Sequence, residues 1–472
     1  MRKQRLARMG AATLAAVLTV QGMGFSSAVY AKGEMVRVKE DSQSQMSSEP
    51  ERVTVKDYGS SSVRTQNFDS DWKFNLGDVS NAQNPTFDDS KWRTLSLPHD
   101  YSIEQEYSQS LEAESGYLPG GIGWYRKNFT LGEEAKGKRI RIDFDGVYMN
   151  ATVYVNGKEV GTHPYGYTPF SFDITDYISY DKENTIAVKV DHQTPSSRWY
   201  SGSGIYRSVS LTTTNAVHVD LNGIKVESNN LAKEAGKTVN TDIKTTVIND
   251  SKEAQNVTVT HTVFKKGEKP DKAIGTFTTE AQEIGAGKKA EISATVPVKN
   301  PELWSVENPA LYTIRTEVKA GDKLLDSYDT EYGFRYLNFD TETGFQLNGK
   351  NVKLKGVCMH HDQGALGAVA NRRAIERQVE ILQEMGCNSI RVTHNPASKD
   401  LIEVCNEKGV LVIEEVFDGW HRAKNGNSND YSVWFEKTIE ENNTILGKED
   451  GMTWAEYDLK AIMKRDLNAP SV

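Results

Sequence analysis

Asn388-Ser-Ile-Arg-Val-Thr-His-Asn-Pro396 leads through Ala397 and Ser398 into Lys399-Asp-Leu-Ile-Glu-Val-Cys-Asn-Glu-Lys408, and then into Gly409-Val-Leu-Val-Ile413. Three elements are legible here. Ser389–Val392 reads as a strand. Lys399 to Lys408 reads as a helix with Leu401, Ile402 and Cys405 facing inward and Gly409 as its stop. Val410–Ile413 is an unbroken apolar run, as strands buried in a parallel sheet are. Upstream, Val352-Lys-Leu-Lys-Gly-Val357 reads as another strand. Between Asn371 and Met385 the apolar residues Ile375, Val379, Leu382 and Met385 recur at helical spacing. Downstream, Trp454 to Arg465 is helical again. This β-α-β-α-β order opens a (β/α) barrel or a doubly wound sheet. A barrel takes eight strands and about 250 residues, so residues 336–472 are expected to form an incomplete barrel, with an unpaired edge and an uncovered apolar face.

Before about Gly344 the pattern has period two. From 63 to 214 short alternating runs such as Arg139-Ile-Arg-Ile-Asp143, Ala151-Thr-Val-Tyr-Val155 and Thr185-Ile-Ala-Val-Lys-Val190 are separated by turn residues. Asn156-Gly157 between Val155 and Lys158 is a strong hairpin signal. Many short strands without helical period predict a β-sandwich of the jelly-roll kind. From 215 to 335 longer runs, including Asp242–Ile248 and Asn256–Val263, alternate over about the length of an immunoglobulin-like β-sandwich, without the Cys…Trp…Cys core of antibody domains.

The amino terminus carries Arg2, Lys3, Arg5 and Arg8, then an apolar run from Met9 to about Phe25, then small residues up to Ala31. This is the pattern of a secretory signal peptide over residues 1–31, so the protein is expected to be secreted or held at the cell surface. The run is short for a spanning helix and is broken by Gln21 and glycines, so no membrane span is expected after signal cleavage. Residues 32–62 are polar and read as a linker. A net charge of −9 without clustered basic residues excludes a nucleic-acid footprint. Cys358, Cys387 and Cys405 are too few for a disulfide scaffold and read as buried thiols. No Cys/His spacing marks a zinc site, and no cofactor is evident.

The order jelly roll, immunoglobulin-like sandwich, (β/α)8 TIM barrel resembles that of family 2 glycoside hydrolases. Several motifs are similar to the family's: Gly120-Gly-Ile-Gly-Trp-Tyr-Arg126, Phe144-Asp-Gly-Val-Tyr148, Ser197-Arg-Trp-Tyr-Ser-Gly-Ser-Gly-Ile-Tyr-Arg207, Pro301-Glu-Leu-Trp304, Tyr332-Gly-Phe-Arg335 and, most specifically, Asn388–Pro396. The likeness runs from about residue 65 to the end. It implies a retaining glycosidase of carbohydrate metabolism, in which one carboxylic acid protonates the leaving oxygen and a second attacks the anomeric carbon. The family's acid/base glutamate follows a segment like Arg465–Val472, and its nucleophile comes later. The resemblance therefore implies that both catalytic glutamates lie beyond Val472 and that this chain alone is inactive. Glu414 and Glu415 are adjacent on a strand, so at most one of them faces the site.

The same resemblance implies a sugar subsite. Arg391 and His394 match positions lining the pocket, and His360 matches another subsite histidine. Arg391 can hold a carboxylate ionised, while His394 and Asn395 can hydrogen-bond sugar hydroxyls. Asp418 sits at the same rim in Phe417-Asp-Gly-Trp420, where Trp420 either stacks on a sugar or fills the core. Arg198, with Trp199 and Tyr200, either reaches the barrel mouth from the jelly roll or packs the domains together. The family's magnesium pattern is not clear near Asp418–His421, and no metal is inferred. Leu467 and Ala469 depart from the family's usual residues. The expected substrate is a terminal β-galactoside. The alternatives are a β-glucuronidase or β-mannosidase relative, or a non-catalytic carbohydrate-binding or adhesive chain. Residues 63–335 are expected to fold alone, with residues 345–472 readily proteolysed.

Overall fold

The computed structural model describes residues 28–31, 34–37, 51–55 and 64–472. Two compact units divide the chain at residue 49. Of the first, the described part is one antiparallel hairpin, Ala28–Ala31 with Glu34–Arg37. Most of the expected signal segment, residues 1–31, and much of the expected linker lie outside the described residues.

The second unit begins with a two-sheet sandwich. One sheet has the order Lys158–His163, Ala151–Val155, Glu183–His192, Gly121–Leu131, Trp72–Leu76, Arg93–Leu95. The other runs Phe170–Asp173, Arg139–Phe144, Val209–Thr214, Thr65–Asn67. Alternation explains the layering: in Arg139–Phe144 every second residue is buried, and Ile140, Ile142 and Phe144 meet Val153, Val188 and Phe129 across the core. Asn156 and Gly157 both take the left-handed conformation that a two-residue hairpin needs. Glu51–Val53 adds a parallel edge strand against Phe129–Leu131, within the segment whose composition suggested only a linker. Lys127, fully buried between the sheets, anchors Glu51 by an ion pair.

The second sandwich packs Val217–Glu227, Thr238–Asn249 and Lys288–Lys299 against Gly275–Thr278, Gln255–Lys265, Tyr312–Ala320 and Lys323–Tyr332. Its core is mostly Val and Ile, many from alternating strand positions, with Tyr312, Tyr332 and Phe334 from the later part of the segment. A buried ion pair, Arg64 to Asp326 at 2.6 Å, ties it to the first sandwich.

Three parallel strands follow: Gly356–Met359, Ser389–Val392 and Leu411–Glu414, in the order of the chain. The first starts later than the sequence suggests. Lys350–Asn351 closes a small antiparallel sheet with Leu337–Asp340 and Gly344–Leu347. The chain then leaves that sheet until Asn388 grips Lys355, accepting its N–H through the side chain at 2.8 Å. Helix Arg372–Glu384 is capped by Asn371, and helix Lys399–Lys408 by Ser398 and Gly409. Gly409 sits at φ +71, where an added Cβ would come within 2.5 Å of the Val306 carbonyl oxygen, so both strain and clash reserve this position for glycine. The three strands form no closed barrel among the described residues.

Register decides the faces. Ile390, Val392 and Val412 point to the helices and are buried against Ile375, Val379, Val404 and Cys405. Cys358, Arg391 and Ile413 stand side by side on the other face and are exposed. This corrects the reading of three buried thiols: only Cys405 is buried, while Cys387 is half-buried and Cys358 exposed. Met385, counted in the helical stripe, is also exposed, because it caps the helix beyond the last inward turn.

Residues 431–466 do not stay with the parallel strands. Tyr431, Ile439, Ile445, Met452, Trp454 and Tyr457 join the core of the first sandwich. The helix Trp454–Asp466 starts with a full capping box, Thr453 with Glu456. Its Asp458 is fully buried, accepts a hydrogen bond from Thr168, lies 2.8 Å from His163, and accepts one from Tyr431.

Candidate functional site

The carboxyl ends of the three parallel strands meet the first sandwich, and the candidate residues gather at that seam. Side-chain alternation separates Glu414 from Glu415. Glu414 turns toward the helices, where its carboxylate accepts the Ala397 N–H at 2.9 Å beside Arg465. Burial first, and then the charge of Asp466, push its pKa up, with Arg465 pulling the other way. One arginine cannot neutralise two buried carboxyls, so Glu414 keeps its proton above the usual carboxylate range.

Glu415 turns to the open face. Arg391 Nε donates to its Oε1 at 2.6 Å, and His394 Nδ1 lies 2.7 Å from its Oε2. Burial works to raise this carboxyl, but the bonds from His394 and Arg391 outweigh it and hold Glu415 below the usual range. It is therefore an ionised acceptor, clamped at both oxygens. Glu415 was legible only as a member of an unsuitable pair; its role as clamp comes from register.

Asp418 is the second clamped carboxylate. Arg198, from the loop before the last strand of the first sandwich, binds it in a two-pronged fork, with Nε to Oδ2 at 2.9 Å. Lys424 donates to the Asp418 carbonyl at 2.6 Å and its ammonium lies 3.8 Å from the carboxylate. Burial raises Asp418, and Arg198 followed by Lys424 lowers it further, so it stays ionised. Arg198 thus reaches the barrel mouth.

His360 stacks flat on Trp199, with centroids 4.2 Å apart and planes 8° apart, and meets His394 edge-on at 5.6 Å. Burial, then His394, lowers its pKa and keeps the imidazole neutral. Trp199 donates its indole N–H to Asp362 at 2.8 Å. Sequence reading pairs Trp199 with Arg198 as either reaching the mouth or packing the domains together, and gives Asp362 no role although it follows His360 and His361. His361 turns inward instead: it is half-buried, bonds the Ser201 carbonyl oxygen at 3.1 Å, and burial lowers its pKa to about 4.

Asn395 is fixed from the first sandwich by Tyr165, whose hydroxyl donates to its Oδ1 at 2.8 Å. Trp420 is 65% exposed, so it fills no core, and Lys424 covers one of its faces at 5.1 Å. A small open cleft lies between Asn395, Asp418, Trp420, Tyr165 and Ser197. The seam is rigid because Arg207, buried under the rim, donates to the carbonyls of Tyr167, Pro396 and Ala397 at 2.8, 2.8 and 3.2 Å. The seven expected residues fall into neighbouring sets: His360, His394 and Arg391 are joined through Glu415, Arg198, Asp418 and Trp420 through Lys424, and Asn395 is held by Tyr165. Among the described residues no cluster of three or more His, Cys, Asp or Glu side chains could hold a metal ion, and no helix is long and apolar enough to cross a membrane.

Comparisons with known proteins agree along the chain. Residues 65–215 match the sugar binding domain of glycosyl hydrolases family 2, residues 217–335 match a second domain of that family, and residues 341–472 match its TIM barrel domain. A β-galactosidase of Bacteroides ovatus is 42% identical over 411 residues, covering 86% of this chain and 45% of that protein. A family 2 member from Bacteroides cellulosilyticus superposes with a TM-score of 0.80 at 37% identity, over 87% of this chain and 51% of that one. A Bacteroides uniformis β-glucuronidase superposes with a TM-score of 0.69 at 30% identity, over 86% and 46%. The chain spans about half the length of these relatives.

Proposed function

Since the chain belongs to glycoside hydrolase family 2, we propose that it forms the substrate-binding front of a retaining β-galactosidase, with a terminal galactosyl ring seated over Arg391, His394, Asn395 and the Arg198–Asp418 pair. One observation carries the choice of sugar. The cations of the rim are already engaged, Arg391 by Glu415, Arg198 by Asp418, and Lys424 by the Asp418 carbonyl and carboxylate. A uronic acid would need an uncommitted cation for its carboxylate. A neutral hexose needs only donors and acceptors held in place, and clamped carboxylates, a neutral histidine and a fixed amide supply them.

Catalysis is assigned to no carboxylate of this chain. A retaining pair must face one sugar across about 5–5.5 Å, and Glu414 and Glu415 lie on opposite faces of their strand. We place both catalytic glutamates outside these 472 residues. The chain alone is then expected to show no turnover of a chromogenic β-galactoside; turnover abolished by Glu415→Gln would overturn that assignment. Calorimetric titration tests the sugar itself. Methyl β-D-galactoside is expected to bind at least about tenfold more tightly than methyl β-D-glucuronide, a difference worth one good polar contact. The reverse preference would move the chain to the glucuronidase side of its family. Residues 1–31 are proposed to direct secretion, and amino-terminal sequencing of protein from the culture medium checks this.

A further inference from the structure

We infer that Trp199 is the platform of a second carbohydrate subsite, which takes the sugar next to the terminal galactosyl unit on its leaving-group side. The inference rests on the reading of the rim given above and extends it outward.

Trp199 is 47% exposed, yet it is not free to move. One face lies flat on His360 at 4.2 Å, and the indole N–H is fixed to Asp362 at 2.8 Å. Its other face is the source of its exposure. An aromatic ring held from two sides before ligand arrives loses little rotamer entropy when something stacks on it. That is a poor use of a large apolar surface unless something does stack there.

The layering gives its place. Glu415 holds His394, His394 meets His360 edge-on, and His360 covers the inner face of Trp199. Trp199 therefore stands one ring farther out than the histidine pair that floors the first subsite. Arg198, the residue before Trp199, is locked to Asp418, two residues before the exposed Trp420. Two exposed indoles flank one ion pair at the mouth.

Chemistry selects the occupant. A pyranose has an apolar face of C–H bonds and a rim of hydroxyls. The indole face suits the first, and Asp362 beside it suits the second. A simple aryl or alkyl aglycone would use the ring and leave the carboxylate idle.

The test is calorimetric titration of the full chain with methyl β-D-galactoside, phenyl β-D-galactoside and a β-linked galactobiose. Galactobiose is expected to bind about tenfold more tightly than the methyl glycoside, the effect of one well-packed aromatic contact. Trp199→Ala should bring the ratio of galactobiose to methyl galactoside affinity down to about one, a ratio that cancels any loss both ligands share when His360 loses its support, while Trp199→Phe, which keeps the stack, should retain part of the gain. Thermal unfolding of both variants confirms that they fold. Equal binding of galactobiose and methyl galactoside by the wild type overturns the platform while leaving the first subsite intact. An equal gain with phenyl galactoside overturns its assignment to a sugar. Galactobiose bound through Trp199 with no binding of methyl galactoside supports the platform and overturns the galactosyl floor instead.

Discussion

Glu414 and Glu415 are neighbours in the chain and opposites in behaviour. Burial and Asp466 raise the first; Arg391 and His394 hold the second down. For a carboxyl whose folded pKa is raised, the stability linked to its proton is complete below the unfolded value, 4.5 here, and is lost as pH rises through the folded value. Glu414→Gln should remove that loss, so the variant gains on the wild type as pH climbs above 4.5, by on the order of 1 kcal/mol at alkaline pH. Urea midpoints at pH 5 and 8 would show it, and a gain that is the same at both would contradict a raised Glu414. Glu415→Gln acts on ligand choice. The pair it breaks is partly exposed, so stability should change by less than about 1 kcal/mol. Arg391 is then uncommitted, and affinity for methyl β-D-glucuronide should rise about tenfold. Unchanged glucuronide binding would mean that the neutral rim does not set the preference.

The strut Arg207 and the helix Trp454–Asp466 show how elements from different domains share structure. Arg207 lies in the first sandwich, but its guanidinium is satisfied partly by carbonyls of the loop after Ser389–Val392. Arg207→Met keeps volume but leaves buried carbonyls unpaired, and should cost about 3 kcal/mol and loosen His394 and Asn395. Chemical denaturation measures the first effect and weakened galactoside binding the second. Sequence pattern predicts that helix Trp454–Arg465 belongs to the barrel alone, with residues 345–472 readily proteolysed. The fold instead lodges Tyr431, Trp454 and Tyr457 in the first sandwich's core. Limited proteolysis should therefore spare residues 431–466 when it cuts the exposed stretch around 337–355. Cleavage within 431–466 at the same early time would show that this docking is weak.

Across the described residues burial lowers the pKa of six histidines, and in four of them far: His192 to about 3, and His218, His261 and His361 to about 4. Each of these four is lowered from 6.5, so each contributes stability that is fully present above pH 6.5 and lost as pH falls from there toward 4. At pH 5 the loss is up to about 2 kcal/mol per histidine. They lie in the first sandwich, at its junction with the second, in the second sandwich's core and under the site, so acid should weaken all parts together. A urea midpoint independent of pH between 7 and 5 would contradict this. His261→Gln, which replaces the histidine hydrogen-bonded near Thr245 and Thr316, should flatten the slope by one histidine's share.

Local pattern was enough for much of this. Period-two runs such as Thr238–Asn249 set the two sandwiches, because a strand with one wet face must alternate. The apolar stripe and Gly409 set the barrel helices, and Asn388–Pro396 with its neighbours set the family. These features act over a few residues, so they survive in one dimension. Partnership does not. That Arg391 spends its charge on Glu415, that Arg198 crosses 220 positions to fork Asp418, and that Trp199 is clamped between His360 and Asp362 all depend on strand register and domain docking. The sequence by itself determined which strands and helices form and which family the chain belongs to. Only the tertiary structure decided which charges remain free to meet a ligand, because an ion pair is a property of distance in space and the chain records only distance along itself.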